Sequence, residues 1–263
     1  MTLPTSTTAT LTVALLVFAG AALALQPLVT DDTGTQGAGG NQIEAGLDFA
    51  RTGESEGTAR SVEVPLAYTR GITDTLDVLV SPAWQRQRPA DGSRTSGWGN
   101  PSIGAKWRFR EDKASGLSFG AKPELVLPIS EARERQGLGT AKPSWRMTLI
   151  ATQAMSWGEL NANLAWARVD AKDEALAATL RRDQFRLSVA PVVTLDERWK
   201  ATFDLGVQST EARGGKRHQG YAQIGVVHAP TQDLELALGL TRDFSTGDAR
   251  TTSLLGAITW RFR

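Results

Sequence analysis

The feature that most constrains this chain is an alternation of apolar and polar residues with a period of two, which recurs from residue 40 to residue 263. Successive side chains of a β-strand point to opposite faces, so each alternating segment predicts a strand with one apolar and one polar face. The clearest case is residues 234–241, LELALGLT, in which four leucines alternate with glutamate, alanine, glycine and threonine. About twelve such segments follow one another, separated by turn signals.

The connections between these segments alternate in length, as they do in outer-membrane barrels, where periplasmic turns are short and external loops are long. Short turns are predicted near residues 71–74, 111–116, 155–158, 195–197 and 230–233. Longer polar loops are predicted near residues 52–58, 88–97, 129–140, 170–181, 210–217 and 244–250, with a brief helix within residues 172–180. We therefore predict an all-β fold, a transmembrane antiparallel β-barrel of outer-membrane type with about 12 strands, in a bacterial outer membrane.

Composition excludes several other classes of protein. The chain has no cysteine, which excludes disulfides and cysteine-ligated metal sites, and its net charge of +1 gives no indication of nucleic-acid binding. Beyond residue 25 no apolar run is long enough for a membrane-spanning helix. A hydrophobic content of 41% still suits a barrel, because only alternate residues face lipid.

The aromatic residues are expected to form two belts at the levels of the lipid headgroups. Near external strand ends these are Trp84, Trp145 and Trp166, and near periplasmic ends they are Trp107, Trp199, Trp260 and Phe262. The alternative is a soluble sandwich or lipocalin-like barrel, in which aromatics would cluster in mid-strand. Phe262, next to the last residue, also resembles the signal read by the outer-membrane assembly machinery, which with outer-membrane lipid would then be a partner.

The N-terminal region divides into two parts before the barrel at residues 40–263. Residues 1–24 are predicted to be a signal peptide, since residues 11–25 are apolar and end in the small-residue pattern Ala22-Leu23-Ala24, although residues 1–10 carry no lysine or arginine. A short membrane anchor is the alternative. Residues 25–39 are polar and glycine-rich and form a periplasmic N-terminal segment.

Charged residues at inward positions are expected to line the lumen as two opposed walls. The acidic wall comprises Glu44, Asp48, Glu63, Asp77 and Glu235, and the basic wall comprises Lys106, Arg108, Lys122, Arg146, Arg186 and Lys200. Such walls would set up a transverse field that orients dipolar solutes. Alternatively, the charges pair across a narrow lumen and hold it closed.

Two interpretations apply to Asp31 and Asp32 in the N-terminal segment. They could form an Asx-type turn that caps the entrance of the barrel. They could instead belong to a plug that folds into the lumen against the basic wall.

The same segment carries a family resemblance. Residues 27–37, PLVTDDTGTQG, followed by Gln42-Ile43-Glu44, resemble the start of the outer-membrane transporters grouped as the MetA-pathway-of-phenol-degradation family. The resemblance implies a β-barrel that aids uptake of small, often aromatic, compounds.

Enzymatic activity is not predicted. The two histidines, His218 and His228, would lie at opposite ends of one strand, and no serine is paired with either in a hydrolase motif. No cofactor, metal or nucleic acid is expected. The predicted function is passive diffusion of small-molecule solutes, aromatic or dipolar; the alternative is a sealed structural or adhesive barrel that acts through its external loops.

Overall fold

The structure is a computed structural model that describes residues 27–54, 57–213, 218–244 and 250–263. The predicted signal peptide lies outside these residues. The strands described are β1 (Asn41–Glu54), β2 (Gly57–Gly71), β3 (Leu76–Ser81), β4 (Ala83–Arg88), β5 (Thr95–Trp98), β6 (Ser102–Asp112), β7 (Leu117–Val126), β8 (Ser144–Met155), β9 (Gly158–Arg168), β10 (Asp183–Thr194), β11 (Trp199–Ser209), β12 (His218–His228), β13 (Leu234–Phe244) and β14 (Arg250–Phe262).

These strands form one closed antiparallel barrel with twelve strand positions. β3 and β4 share one position and are separated at Pro82, whose missing N–H cannot join the ladder. β5 and β6 share the next, since β5 pairs with β4 and β6 pairs with β3. Closure is made by β1, which pairs with β2 on one side and with β14 on the other. The predicted fold class and strand number are confirmed.

One predicted loop is partly wrong. Residues 88–97 were expected to lack regular structure, yet β5 begins at Thr95. The four-residue strand is too short for its alternation to stand out, and it is stabilised by pairing with β4, where Trp98 lies opposite Trp84.

The two faces of the strands differ in polarity in the sense expected for a membrane barrel. On β10, Leu187 is 57% exposed and points outward, whereas its neighbour Arg186 is 2% exposed and points into the barrel. Large apolar side chains are exposed around the whole outer surface, while most buried side chains in the interior are polar or charged. A soluble barrel would show the reverse arrangement, so the soluble alternative does not hold.

Two short helices lie in the loops at the external end. α2 (Glu174–Thr179) confirms the helix predicted within residues 172–180 and is capped by Asp173, whose side chain accepts from the amide of Leu176. α1 (Glu131–Arg135), which was not predicted, is capped in the same way by Ser130. Within the part of the chain that is described, neither helix nor any other is long and apolar enough to cross a bilayer.

Candidate functional site

The interior of the barrel is crossed by residues 27–40, which we call the lumen segment. It leaves the start of β1 at the periplasmic rim, where the amide of Gly39 donates to the carbonyl of Gly71. It then runs across to the opposite wall, where Gln223 on β12 donates to the carbonyl of Pro27. Because the segment has no regular structure of its own, the strands around it supply the partners for its backbone groups.

The innermost contact is made by Asp204 on β11, which is 0% exposed. Its carboxylate accepts from the amides of Val29 and Thr30 at 2.9 and 2.7 Å and from the hydroxyl of Thr30 at 2.9 Å. Tyr221 donates a further hydrogen bond to it at 3.1 Å. Hydrogen bonds to a charged acceptor are stronger than those between neutral groups, so Asp204 is the main anchor of this end.

At the centre of the lumen segment, Asp31 lies between two lysines of the barrel wall. Its two carboxylate oxygens are 2.9 Å from Nζ of Lys106 and 2.7 Å from Nζ of Lys122. Its amide and carbonyl are both bonded to the side chain of Asn163, at 2.6 and 2.8 Å. Burial alone would raise the pKa of Asp31, but the two lysines outweigh it and lower the pKa to about 2.

Asp32 has a different role. Its Oδ1 accepts from the amide of Gly34, which is an Asx-type turn, and lies 3.3 Å from Nζ of Lys106. The two interpretations of the Asp31-Asp32 pair therefore describe two residues: Asp32 forms the turn, and Asp31 is bonded to the basic wall.

The rest of the lumen segment is fixed by polar side chains of the wall. Thr33 accepts from or donates to Ser118 at 2.6 Å, and its amide donates to Thr152 at 3.0 Å. The amide of Gln36 donates to both oxygens of Asp77 at 3.1 and 3.0 Å. Asp77 of the predicted acidic wall thus holds the segment rather than standing free in the lumen.

The predicted walls are partly paired with each other. Glu235 lies 3.5 Å from Lys200 and 2.8 Å from Arg261, so it sits among bases. Arg146 lies 3.5 Å from Glu124 on the neighbouring strand. Two of the remaining basic-wall residues, Lys106 and Lys122, are occupied by Asp31.

Other wall residues face the interior without pairing across it. Glu44, Asp48 and Glu63, on β1 and β2, make no ion pair within the described residues. Arg108 lies near the periplasmic rim, 3.6 Å from Glu111. Arg186 is buried on β10, inside the barrel. The acidic side at β1 and β2 is thus the least compensated part of the wall.

A polar cavity of about 40 Å³ separates the lumen segment from the wall formed by β1 to β3 and β6. It is large enough for a few water molecules. Its lining includes Asp31, Glu44, Asp77, Lys106 and Lys122. A passage of this size excludes organic solutes as long as the segment stays in place.

The aromatic residues predicted to form belts lie on the outer face. Trp107, Trp145, Trp166, Trp199 and Trp260 are between 37% and 52% exposed. Several are packed in pairs: Trp145 contacts Trp166 edge-on at 4.2 Å, and Trp260 stacks on Phe262 at 4.5 Å. Trp84 is partly exposed on β4, where alternation also turns it outward.

At the external end, Glu134 of α1 joins two loops. Its side chain is buried and accepts hydrogen bonds from the amides of Ala141, Lys172 and Asp173 at 2.8, 3.0 and 2.8 Å. The sequence suggested a solvated charged loop here, which is wrong for this residue. We refer to this contact as the Glu134 latch.

Neither histidine belongs to a metal or nucleophile site. His218 begins β12 and His228 ends it, stacked on Trp199 at 4.2 Å. Among the residues that the structure describes, no group of three histidine, aspartate or glutamate side chains could hold a metal ion.

Comparison with known families adds evidence independent of this geometry. The family described as "Putative MetA-pathway of phenol degradation" matches residues 24–262, which is nearly the whole chain. The chain belongs to this family. The resemblance noted in residues 27–37 is thereby confirmed, and the match extends through the last strand. No curated protein sequence matches the chain.

Solved structures with similar folds are all outer-membrane barrels. The COG4313 outer membrane channel from Pseudomonas putida F1 aligns with a TM-score of 0.71 at 14% identity, covering 88% of this chain and 98% of the channel. The NanC porin aligns with a TM-score of 0.54 at 7% identity, covering 82% and 98%. The β domain of the Bordetella autotransporter Brka gives 0.53 at 11% identity, covering 84% and 98%. At these identities the likeness shows the fold, an outer-membrane barrel.

Several residues of the site could not be identified from the sequence of this family member. Asp204, Asn163, Ser118 and Thr152 are inward polar residues like many others, and only the path of the lumen segment distinguishes them. The available signal was indirect: small and amide side chains recur at inward positions of β7 to β9, where a chain inside the barrel needs room and partners.

Proposed function

We propose that this protein is an outer-membrane channel for passive diffusion of small aromatic or dipolar solutes, and that the lumen segment is its plug. The observation that carries the proposal is the position of Asp31, bonded to both Lys106 and Lys122 inside the barrel. These are the only ionic contacts between the described part of the segment and the wall, apart from that of Asp32. A segment held by a few polar contacts can leave a wall to which it is not covalently joined.

The contacts of the lumen segment support movement rather than permanent closure. Its bonds to the wall are hydrogen bonds and ion pairs, which water can replace when the segment shifts. The apolar contacts are concentrated at one end, where Leu28 packs against Ala190 and Val192. The barrel wall itself does not depend on the segment, since every strand is paired along its own ladder.

The chemistry of the lumen suggests the class of solute. Once the segment is displaced, Lys106 and Lys122 on one side would face Glu44 and Glu63 on the other. In the low-dielectric interior such a field favours dipolar solutes over apolar ones. Aromatic solutes are suggested by the phenol-degradation description of the family.

Single-channel recording of the purified protein in planar bilayers tests the plug. We expect Asp31→Asn, and a deletion of residues 27–38, to raise conductance several-fold, because the segment loses its ionic contacts or is absent. Asp91→Asn, which changes an exposed external carboxylate, is the matched control and should leave conductance unchanged. Equal conductance of the wild type and the deletion would contradict the proposal.

The ordered external surface favours a second candidate, a sealed structural or adhesive barrel. The Glu134 latch and the two short helices give the external loops a defined shape that a partner could recognise. Liposome swelling with small aromatics, sugars and amino acids separates the two functions. Swelling in the wild type or in the deletion supports the channel, and no swelling in either supports the sealed barrel.

A further inference from the structure

The outer surface carries a row of arginines at the external ends of neighbouring strands. In the ladder, Arg242 lies opposite Thr252, which lies opposite Arg51. Arg51 lies opposite Arg60, and Arg60 lies opposite Arg88. We call Arg51, Arg60, Arg88 and Arg242 the arginine row.

These four side chains face outward. They share the outward parity of Phe49, Val62, Trp84 and Leu240 on the same strands, and each is exposed. Arg86, two residues before Arg88, shares the same face and is also exposed. The cluster therefore lies on the surface that meets the membrane, not in the lumen.

The level of the row coincides with the external edge of the apolar band. From Ile43, opposite Trp260, to Arg51 is eight residues along β1. At about 3.3 Å per residue and a tilt of about 40°, this is roughly 20 Å along the membrane normal. The apolar band of such barrels is about 25 Å tall, and long arginine side chains extend toward the headgroups. The guanidinium groups thus reach the headgroups of the outer leaflet.

Nothing in the described residues neutralises this row. Like charges directly opposite each other on a sheet are destabilising. No described carboxylate lies within 4.0 Å of any of the four guanidinium groups. On the far side of the barrel the situation differs, because the outward Arg168 at the end of β9 lies 2.8 Å from Asp183.

We propose that the arginine row binds the phosphate groups of an anionic glycolipid of the outer leaflet, such as lipid A. Guanidinium groups bind phosphate oxygens in a bidentate manner, and a row with the spacing of adjacent strands, about 4.8 Å, can contact one phosphorylated headgroup at several points. The acyl chains of the same lipid would lie on the apolar band below, formed by Phe49, Leu47, Val62 and Leu254. Charge complementarity and continuity with the lipid-facing surface select this partner.

Native mass spectrometry of the detergent-purified protein with added diphosphoryl lipid A tests the proposal. We expect the triple variant Arg51→Gln, Arg60→Gln, Arg88→Gln to bind lipid A about 10- to 100-fold more weakly, at about fivefold per arginine. Arg168→Gln is the matched control, since it removes an outward external arginine that already has a carboxylate partner. Its affinity should stay within twofold of the wild type.

Two further arms identify the source of the phosphate. Dephosphorylated lipid A should bind the wild type and the triple variant equally weakly. Inorganic phosphate at the same concentration should not displace lipid A; if it does, the row is a general anion site and the proposal fails. It also fails if the triple variant, shown to be folded by its heat-modifiable migration in gels, retains wild-type affinity.

Discussion

At the scale of single residues, Asp31 combines burial with two cationic partners, and the consequence is a carboxylate that stays charged in an interior where it would otherwise be neutral. Its oxygens contact Lys106 and Lys122, and each of these lysines would be left as an unpaired charge without it. Breaking such a pair by removing one partner is more costly than never having formed it.

This arrangement makes the plug insensitive to pH over a wide range. Because the pKa of Asp31 is about 2 with the segment in place and near 3.8 when it is free, its contribution is present above 3.8 and is lost as pH falls toward 2. We expect the ratio of Asp31→Asn to wild-type conductance to stay constant from pH 8 to pH 5 and to approach one near pH 2. A ratio that already falls between pH 7 and pH 5 would contradict this assignment.

Asp204 offers a second test at the same scale, because it bonds only to the far end of the lumen segment and to Tyr221. Asp204→Asn keeps the shape of the side chain but removes its charge, and we expect the innermost residues to dock more weakly by about 2 kcal/mol. Hydrogen exchange of the amides of Val29 and Thr30 should quicken by about 30-fold, while the strands exchange as before. Unchanged exchange at these two amides would show that Asp204 is not the anchor.

At the scale of elements, strands were predictable and contacts between loops were not. The alternation in β10 or β13 depends only on neighbouring residues, because each strand has lipid on one side and a polar interior on the other. The lumen segment has no such period, and its course depends on side chains from five strands. The external helix α1 has five residues, too few for a helical period to be recognised.

The Glu134 latch is the clearest case of a contact that only the fold reveals. We expect Glu134→Ala to leave three amides of the two external loops without their acceptor, lowering local stability by about 3 kcal/mol. Hydrogen exchange in residues 131–141 and 171–180 should then quicken by about 100-fold. Glu131→Ala removes only an exposed pair with Lys172 and serves as the control, with little expected change.

If exchange in both regions is the same in Glu134→Ala as in Glu131→Ala, the latch does not hold the loops together. If the loops loosen and solute flux also rises, the external helices contribute to closing the mouth. Flux unchanged despite loosened loops would leave the lumen segment as the sole barrier.

At the scale of the whole molecule, the fold is a sheet that faces lipid outward and polar groups inward, which is why sequence alone could give its class and strand number. We expect Leu47→Arg, on the outward face near the middle of the apolar band, to destabilise the barrel by about 2–4 kcal/mol. Thr58→Arg, on the same face beyond the arginine row, should cost about 0–1 kcal/mol. Equilibrium unfolding by guanidinium in lipid vesicles measures both, and equal costs would place the bilayer elsewhere.

Strand closure has a consequence for how the polypeptide reaches its final form. All seams of the barrel but one join strands that are close in sequence, and the exception is the pairing of β1 with β14, in which Asn41 contacts Phe262 across 221 residues. Thr30 binds Asp204, so residues just ahead of β1 are tethered to β11 before the last strands arrive. A tether of this kind leaves a several-fold shorter loop for the final pairing, which lowers its entropic cost by about 1 kcal/mol. The same short stretch that obstructs the pore would thus also help the first and last strands to find each other.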